Sequence, residues 1–296
     1  MMPSKSLHTR TIIFWAALTA LLLGLAACQP AAPATPPPGV PPSATPARPV
    51  QTGTPAVRTV TPVGATPTTT PAPSLTPTRD LATLPISFPI MSAEMADYFN
   101  QIARPDDSAL LPVAQLRWLP NIEAGLVRVG FPAWSRAERE LPALVDRIDM
   151  VSYNPEHWDQ TPEEEKNNLP ETVERAHNLA RQHNLLLMVA PDRRFARDYL
   201  RQIAPSTDLL ALQGQRIQDD PAEFEQWARE MIAIAREANP EVKIYVQVGA
   251  NQGPAEEMLA AIRTIAGEID GISIWVNPDS FETLKEFLAL IRPEET

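Results

Sequence analysis

What most constrains this chain is a strand pattern that recurs in its second half and is each time followed by a helix pattern. In 209–215, Leu210 and Leu212 fall on one side of a two-residue period, with Ala211, Gln213 and Gln215 on the other. The split returns at 243–249, where Ile244, Val246 and Val248 oppose Tyr245, Gln247 and Gly249. It returns again at 272–277, where Ile272, Ile274 and Val276 oppose Ser273, Trp275 and Asn277. The apolar rows are expected beneath helices, and the rows of Gln, Tyr, Trp and Asn are expected to face something wet. Function is expected on that second face.

The alternation begins after residue 121. Strands are expected at 126–130, 148–154, 185–190, 209–215, 243–249 and 272–277, and helices at 136–146, 171–183, 195–203, 221–238, 255–269 and 280–291. Asp220 is placed to cap the helix that Pro221 opens, with Glu223 in capping-box position, and Phe224, Trp227, Met231 and Ile234 mark its buried stripe. Repeated β-α units imply parallel strands joined by right-handed crossovers. A doubly wound sheet, covered on both faces, reads as continuous apolar runs. Here one row is repeatedly polar or small, so a (β/α) barrel of the TIM type is the expected fold. Six units are clear. A full eight requires two more strands between residues 86 and 121, where 93–102 looks helical and 109–119 reads as either helix or strand; otherwise the barrel is incomplete.

Charge is unevenly placed. All 36 acidic residues lie at or after Asp80 and 5 of the 25 basic ones before it, so the folded part carries 20 − 36 = −16. A domain that acidic is poorly suited to holding nucleic acid through phosphate contacts. The single cysteine, Cys28, excludes an internal disulfide and a cysteine-rich metal site.

Lys5 and Arg10 lead into an apolar run from Thr11 to Leu23 that ends in Leu25-Ala26-Ala27-Cys28. This resembles the bacterial lipoprotein signal, an aliphatic residue and two small residues before cysteine. The resemblance implies a signal peptide at 1–27, cleavage before Cys28, a diacylglyceryl group on its thiol and further acylation of the new amino terminus, such as palmitate. Membrane lipid is then a partner through Cys28, and the protein is expected at the cell membrane on the extracytoplasmic side. With each buried CH₂ contributing about 0.8 kcal/mol, two or three acyl chains anchor stably. An uncleaved membrane anchor is the alternative. Residues 28–84 follow, rich in Pro, Thr and Ala, with no acidic residue until Asp80. Such a stretch cannot offset its ordering entropy by burial, so a disordered stalk is expected, reaching on the order of 100 to 150 Å at about 3.1 Å per residue. The barrel-like domain is expected at 85–296.

In barrels of this type the working residues project from the carboxyl ends of the strands. Arg128, Asn154, Gln213, Gln215, Gln247, Trp275 and Asn277 are the expected ligand-binding set. Amides pair with hydroxyls and an aromatic face covers a sugar ring, so the set suits a neutral polyhydroxylated ligand, a carbohydrate. The domain broadly resembles the barrels of glycoside hydrolases at fold level, which implies two carboxyl groups, one protonated and one ionised. Glu156 and Asp192 are the candidate catalytic pair. The Asn-Glu-Pro order found in some such enzymes is absent, since Asn154-Pro155-Glu156 runs differently. Structural alternatives stand beside each: a loop residue for Glu156, a turn or cap for Asp192, barrel filling for Gln213 and Gln215, core for Trp275. A non-catalytic surface receptor or scaffold using the same groove is the rival to a hydrolase. No histidines stand at metal-ligand spacing, and no phosphate-cradling glycine loop or nucleophile elbow is visible, so no cofactor or metal is expected. His177 and His183 are expected on a solvated helix face, and Glu163-Glu164-Glu165-Lys166 in an exposed loop or helix start.

Overall fold

A computed structural model describes residues 79–293. The expected signal peptide, the expected lipidation of Cys28 and the expected stalk up to residue 78 lie outside the described residues. Folded structure starts earlier than residue 85. Asp80 caps a 3-10 turn at Leu81–Thr83 by accepting from the Ala82 amide, and Leu84 is fully buried.

Eight parallel strands close on themselves in chain order: β1 Ile86–Pro89, β2 Ser108–Pro112, β3 Leu126–Phe131, β4 Met150–Tyr153, β5 Leu186–Val189, β6 Leu209–Gln213, β7 Lys243–Gly249 and β8 Gly271–Trp275. The ring is sealed where Ile86 pairs with Ile272 and Ser87 with Ser273. The barrel is therefore complete. Both extra strands come from the region between residues 86 and 121, and they are short runs carrying Pro89 and Pro112 at their ends. Of the stretch that reads as helix or strand, 109–112 is strand and Val113–Asn121 is 3-10.

The helices are α1 Ala93–Ile102, α2 Trp134–Glu140, α3 Glu163–Asn167, α4 Leu169–Gln182, α5 Arg193–Ile203, α6 Pro221–Ala238, α7 Ala255–Arg263 and α8 Phe281–Ile291. Two end sooner than their periodicity suggests. After Glu140 the chain passes into 3-10 turns, the first of which holds Pro142, and α7 gives way to a 3-10 turn at Ala266–Glu268. Pro lacks the amide that would extend a helix. The main core lies between strands and helices. It takes in Leu210, Leu212, Ile244, Val246, Val248, Ile272 and Ile274 from the sheet, and Phe224, Trp227 and Met231 from α6. Each such side chain, fully buried, contributes about 1.5–3 kcal/mol.

The inner face packs separately. Met150, Met188, Ala190, Leu209, Ala211 and Tyr245 form a small plug inside the barrel. Gly271 is required beside it, because a Cβ there would lie 2.3 Å from the Tyr245 ring. Around the plug the interior is polar, with Ser87, Ser108, Arg128, Ser152, Gln213, Gln247 and Ser273 all buried.

A device repeats at the base of the barrel. An aspartate immediately precedes each even-numbered strand and accepts the first or second amide of the strand before it: Asp107 from Ile86 (2.7 Å), Asp149 from Val127 (2.8 Å), Asp208 from Leu187 (2.8 Å) and Asp270 from Ile244 (3.0 Å). Strand starts carry amides that the ladder leaves open, and a carboxylate satisfies them with a charge-assisted bond. Asp107 also holds Arg292, just past α8, at 2.7 and 2.9 Å, and Arg292 donates to Leu84 O. His177 is less solvated than its helix pattern suggests, because α4 directs its ring to Asp208 at 3.5 Å. The acidic run also differs from expectation: Glu165 is buried, accepting from the Trp134 and Ser135 amides and from Tyr153 Oη, so α3 caps α2.

Candidate functional site

Parallel strands put all carboxyl ends at one mouth. Three cavities open there, of about 410, 240 and 140 Å³, and Glu156 and Trp158 line all three. The 240 Å³ cavity gathers seven of the nine expected site residues: Arg128, Asn154, Glu156, Gln213, Gln215, Gln247 and Trp275. Asp192 lies in the largest cavity with Glu156, His157, Trp158, Arg193, Arg194 and Arg216. Asn277 is the exception among the nine. Its side chain accepts from Ser280 N and Oγ in a capping box at Pro278–Ser280, and it lines none of these cavities. The strand period put it on the inner row, but β8 ends at Trp275 and the period lapses there.

The loop after β4 carries the centre of the site. Thr161, buried beneath it, accepts from the Glu156 amide and from Trp158 Nε1 while donating to Pro132 O, which fixes the loop at three points. Glu156 sits half-buried at its turn. Its Oε1 faces Gln213 Nε2 at 3.4 Å; Gln213 donates more closely to Ala190 O (2.9 Å) and accepts from Gln215 Nε2 (3.2 Å). Two acceptors in this run, Asn154 Oδ1 and Gln215 Oε1, are buried with no partner among the described residues. Gln218, which the sequence pattern does not single out, clamps the end of β7 by donating to Gly249 O and accepting from Gly249 N.

The two carboxyl groups differ in environment. Burial pushes Glu156 above the usual glutamate range, reinforced by the charge of Asp192 and opposed by Gln213 and Arg216. Burial also pushes on Asp192, but donation from the Phe195 amide and from the His157 ring and amide outweighs it, leaving the group below the usual aspartate range. Asp192 is the cap of α5. Its Oδ1 accepts from the Arg194 and Phe195 amides at 3.0 and 2.8 Å, and its Oδ2 from the His157 amide and Nδ1 at 2.8 and 2.7 Å. Four donors occupy the acceptor capacity of a carboxylate. The cap reading of Asp192 thus describes its contacts, and neither oxygen is left for attack on a substrate. The His157 ring, held by this contact, stacks on Phe195 with centroids 3.8 Å apart.

Arginines gather at the mouth although the domain is acidic. Arg193 reaches Glu223 (3.2 Å), which uses the α6 residue expected in a capping box, and lies over the Trp227 ring. Asp220 itself caps α6, as its position predicts, by accepting from the Ala222 and Glu223 amides. Arg216 is exposed and makes no hydrogen bond or ion pair among the described residues.

The fold and the site define a (β/α)8-barrel protein with an open, amide-lined cleft at the carboxyl ends of its strands. No family model matches the chain, and no curated protein matches it in sequence. Among solved structures, it is similar to an HpcH/HpaI aldolase/citrate lyase family protein from Burkholderia cenocepacia J2315, with TM-score 0.47, 12% identity, and 71% of this chain and 94% of that one covered. A Schiff-base-forming fructose-1,6-bisphosphate aldolase matches with TM-score 0.45 and 11% identity over 71% of this chain and 92% of that one. A glycoside hydrolase family 17 β-1,3-glucanosyltransferase from Rhizomucor miehei matches with TM-score 0.46 and 10% identity over 66% and 87%. Two of these carry aldolase names and one a glucanosyltransferase name, and at such identities none of them assigns an activity to this chain.

Proposed function

We propose that the barrel recognises a carbohydrate-type, polyhydroxylated ligand in the cleft at its mouth, and that lipidated Cys28 carries it on the extracytoplasmic side of a cell membrane. The observation that supports the first part most directly is the pair of buried, unpartnered acceptors, Asn154 Oδ1 and Gln215 Oε1, in a cleft that also holds the indoles of Trp158 and Trp275. A buried acceptor left unmade costs about 1–3 kcal/mol, and a ligand hydroxyl recovers it. An indole face covers the apolar side of a sugar ring.

Recognition without turnover is the reading the contacts favour. Hydrolysis by Glu156 and Asp192 needs a free second carboxylate, whereas Asp192 is committed to four donors. Glu156, raised by burial, has the character of a general acid and keeps a catalytic form of the same cleft in contention. Glycan-array binding by the full chain, followed by product analysis on each bound glycan, separates these forms. Binding with no product, by the unaltered protein and by Glu156→Gln alike, is the expected result. A hydrolytic product lost in Glu156→Gln makes the protein an enzyme, and failure to bind any glycan overturns the carbohydrate reading. Labelling of the expressed chain with a radioactive or clickable palmitate, abolished by Cys28→Ser, tests the anchor.

A further inference from the structure

Arg128 stands inside the barrel without a carboxylate. It is 1% exposed, and its Nη groups donate to Ser87 Oγ (2.7 Å) and to the Met188 thioether, while Nε has no partner. Among the described residues no Asp or Glu is bonded to it. The polar group that acts on it electrostatically is the Tyr245 phenol, which burial pushes up to about 12 and so keeps neutral. Glu156, in the same cavity, turns to Gln213 instead.

A desolvated guanidinium with no opposing charge is costly, and arginine escapes the cost poorly because it gives up its proton so reluctantly. Burial lowers the group only to about 10, so it remains a cation at neutral pH. A barrel interior needing only filler would be served better by an apolar side chain of that size. Arg128 also lines the 240 Å³ cavity, beside Leu110, whose side chain packs against Gly130, the next residue on the same face of β3. At the rim of that cavity stands Arg216, exposed and free of ion pairs among the described residues.

We propose that the ligand of this cleft is an acidic sugar, whose carboxylate enters the cavity to engage Arg128 while Arg216 meets it at the rim. This rests on the carbohydrate reading above and departs from the neutral ligand that the amides alone suggest. A carboxylate supplies the opposing charge and the acceptor that the buried Nε lacks. The ring hydroxyls are left for Asn154, Gln215 and Gln247.

The test is calorimetric titration of the full chain with trigalacturonate, with its methyl ester and with inorganic phosphate. The acid is expected to bind at least about tenfold more tightly than the ester. Arg128→Met is expected to erase that difference, and Arg216→Ala, an exposed change that leaves folding intact, to narrow it. Equal binding of acid and ester overturns the inference but keeps the carbohydrate reading. Failure of both glycans overturns the carbohydrate reading itself, and phosphate binding as tight as the trisaccharide overturns the sugar. A second readout guards against a folding defect: ligand-free Arg128→Met is expected to melt above the unaltered protein. A lower melting temperature makes Arg128 a structural cation and overturns the inference.

Discussion

Glu156 and Asp192 show how two carboxyl groups on one cavity take opposite roles from their surroundings. For Glu156 the folded state holds the proton more tightly than the unfolded chain does, mainly through burial. Its contribution is therefore full below the usual glutamate range and is lost as pH rises through the raised value. Asp192 has the reverse sign. Its stabilisation is present above the usual aspartate range and is lost as pH falls through its depressed value. Accordingly Glu156→Gln is expected to melt higher than the unaltered protein at neutral pH, with the gain vanishing below about pH 4. Asp192→Asn is expected to cost about 1–2 kcal/mol at neutral pH, less in acid, through the weakened cap of α5 and the freed His157 ring. Denaturant unfolding of both variants across the acidic range checks the pair, and a common pH dependence would contradict the assignment.

At the scale of elements, much was readable because a strand exposes its two faces at a fixed period. Gln213, Gln247 and Trp275 meet in one cavity for that reason, and Leu210, Ile244 and Ile272 lie under helices. The same reasoning stops where the period stops. Thr161 and Trp158 belong to a loop whose conformation comes from three hydrogen bonds on one hydroxyl, and nothing in spacing announces that. Asn277 carries the right residue type two residues beyond the end of its strand. The strands β1 and β2 each close on a proline and carry no amide or indole at alternate positions to mark an inner face. The four basal aspartates were legible in principle, since each directly precedes an even-numbered strand, but the pattern becomes meaningful only when the preceding strand is known to lie alongside. Asp149→Ala is expected to cost about 0.5–1.5 kcal/mol by removing the exposed acceptor of the Val127 amide. Hydrogen exchange should show that amide losing protection more than the amides at the far end of β3.

For the molecule as a whole, closure of the ring removes every free sheet edge, which an open sheet of eight strands would leave at both sides. The last helix is fastened to the first strands by Arg292 and Asp107, both buried and 185 residues apart in sequence. Arg292→Ala removes the guanidinium from the buried Asp107 carboxylate, which keeps the Ile86 and Arg104 amides, and is expected to destabilise the barrel by about 3–5 kcal/mol. Urea unfolding gives the number, and a loss below about 1 kcal/mol, the range of an exposed pair, would show that the contact is solvated.

Arg79 donates to Ile269 O at 3.0 Å, just ahead of β8. That contact is at the base of the staves, whereas the loops that frame the cleft are at their tips. A label, resin or sensor chip coupled at Arg79 itself therefore takes hold of the barrel by its blunt end, away from the opening that any ligand in solution has to meet.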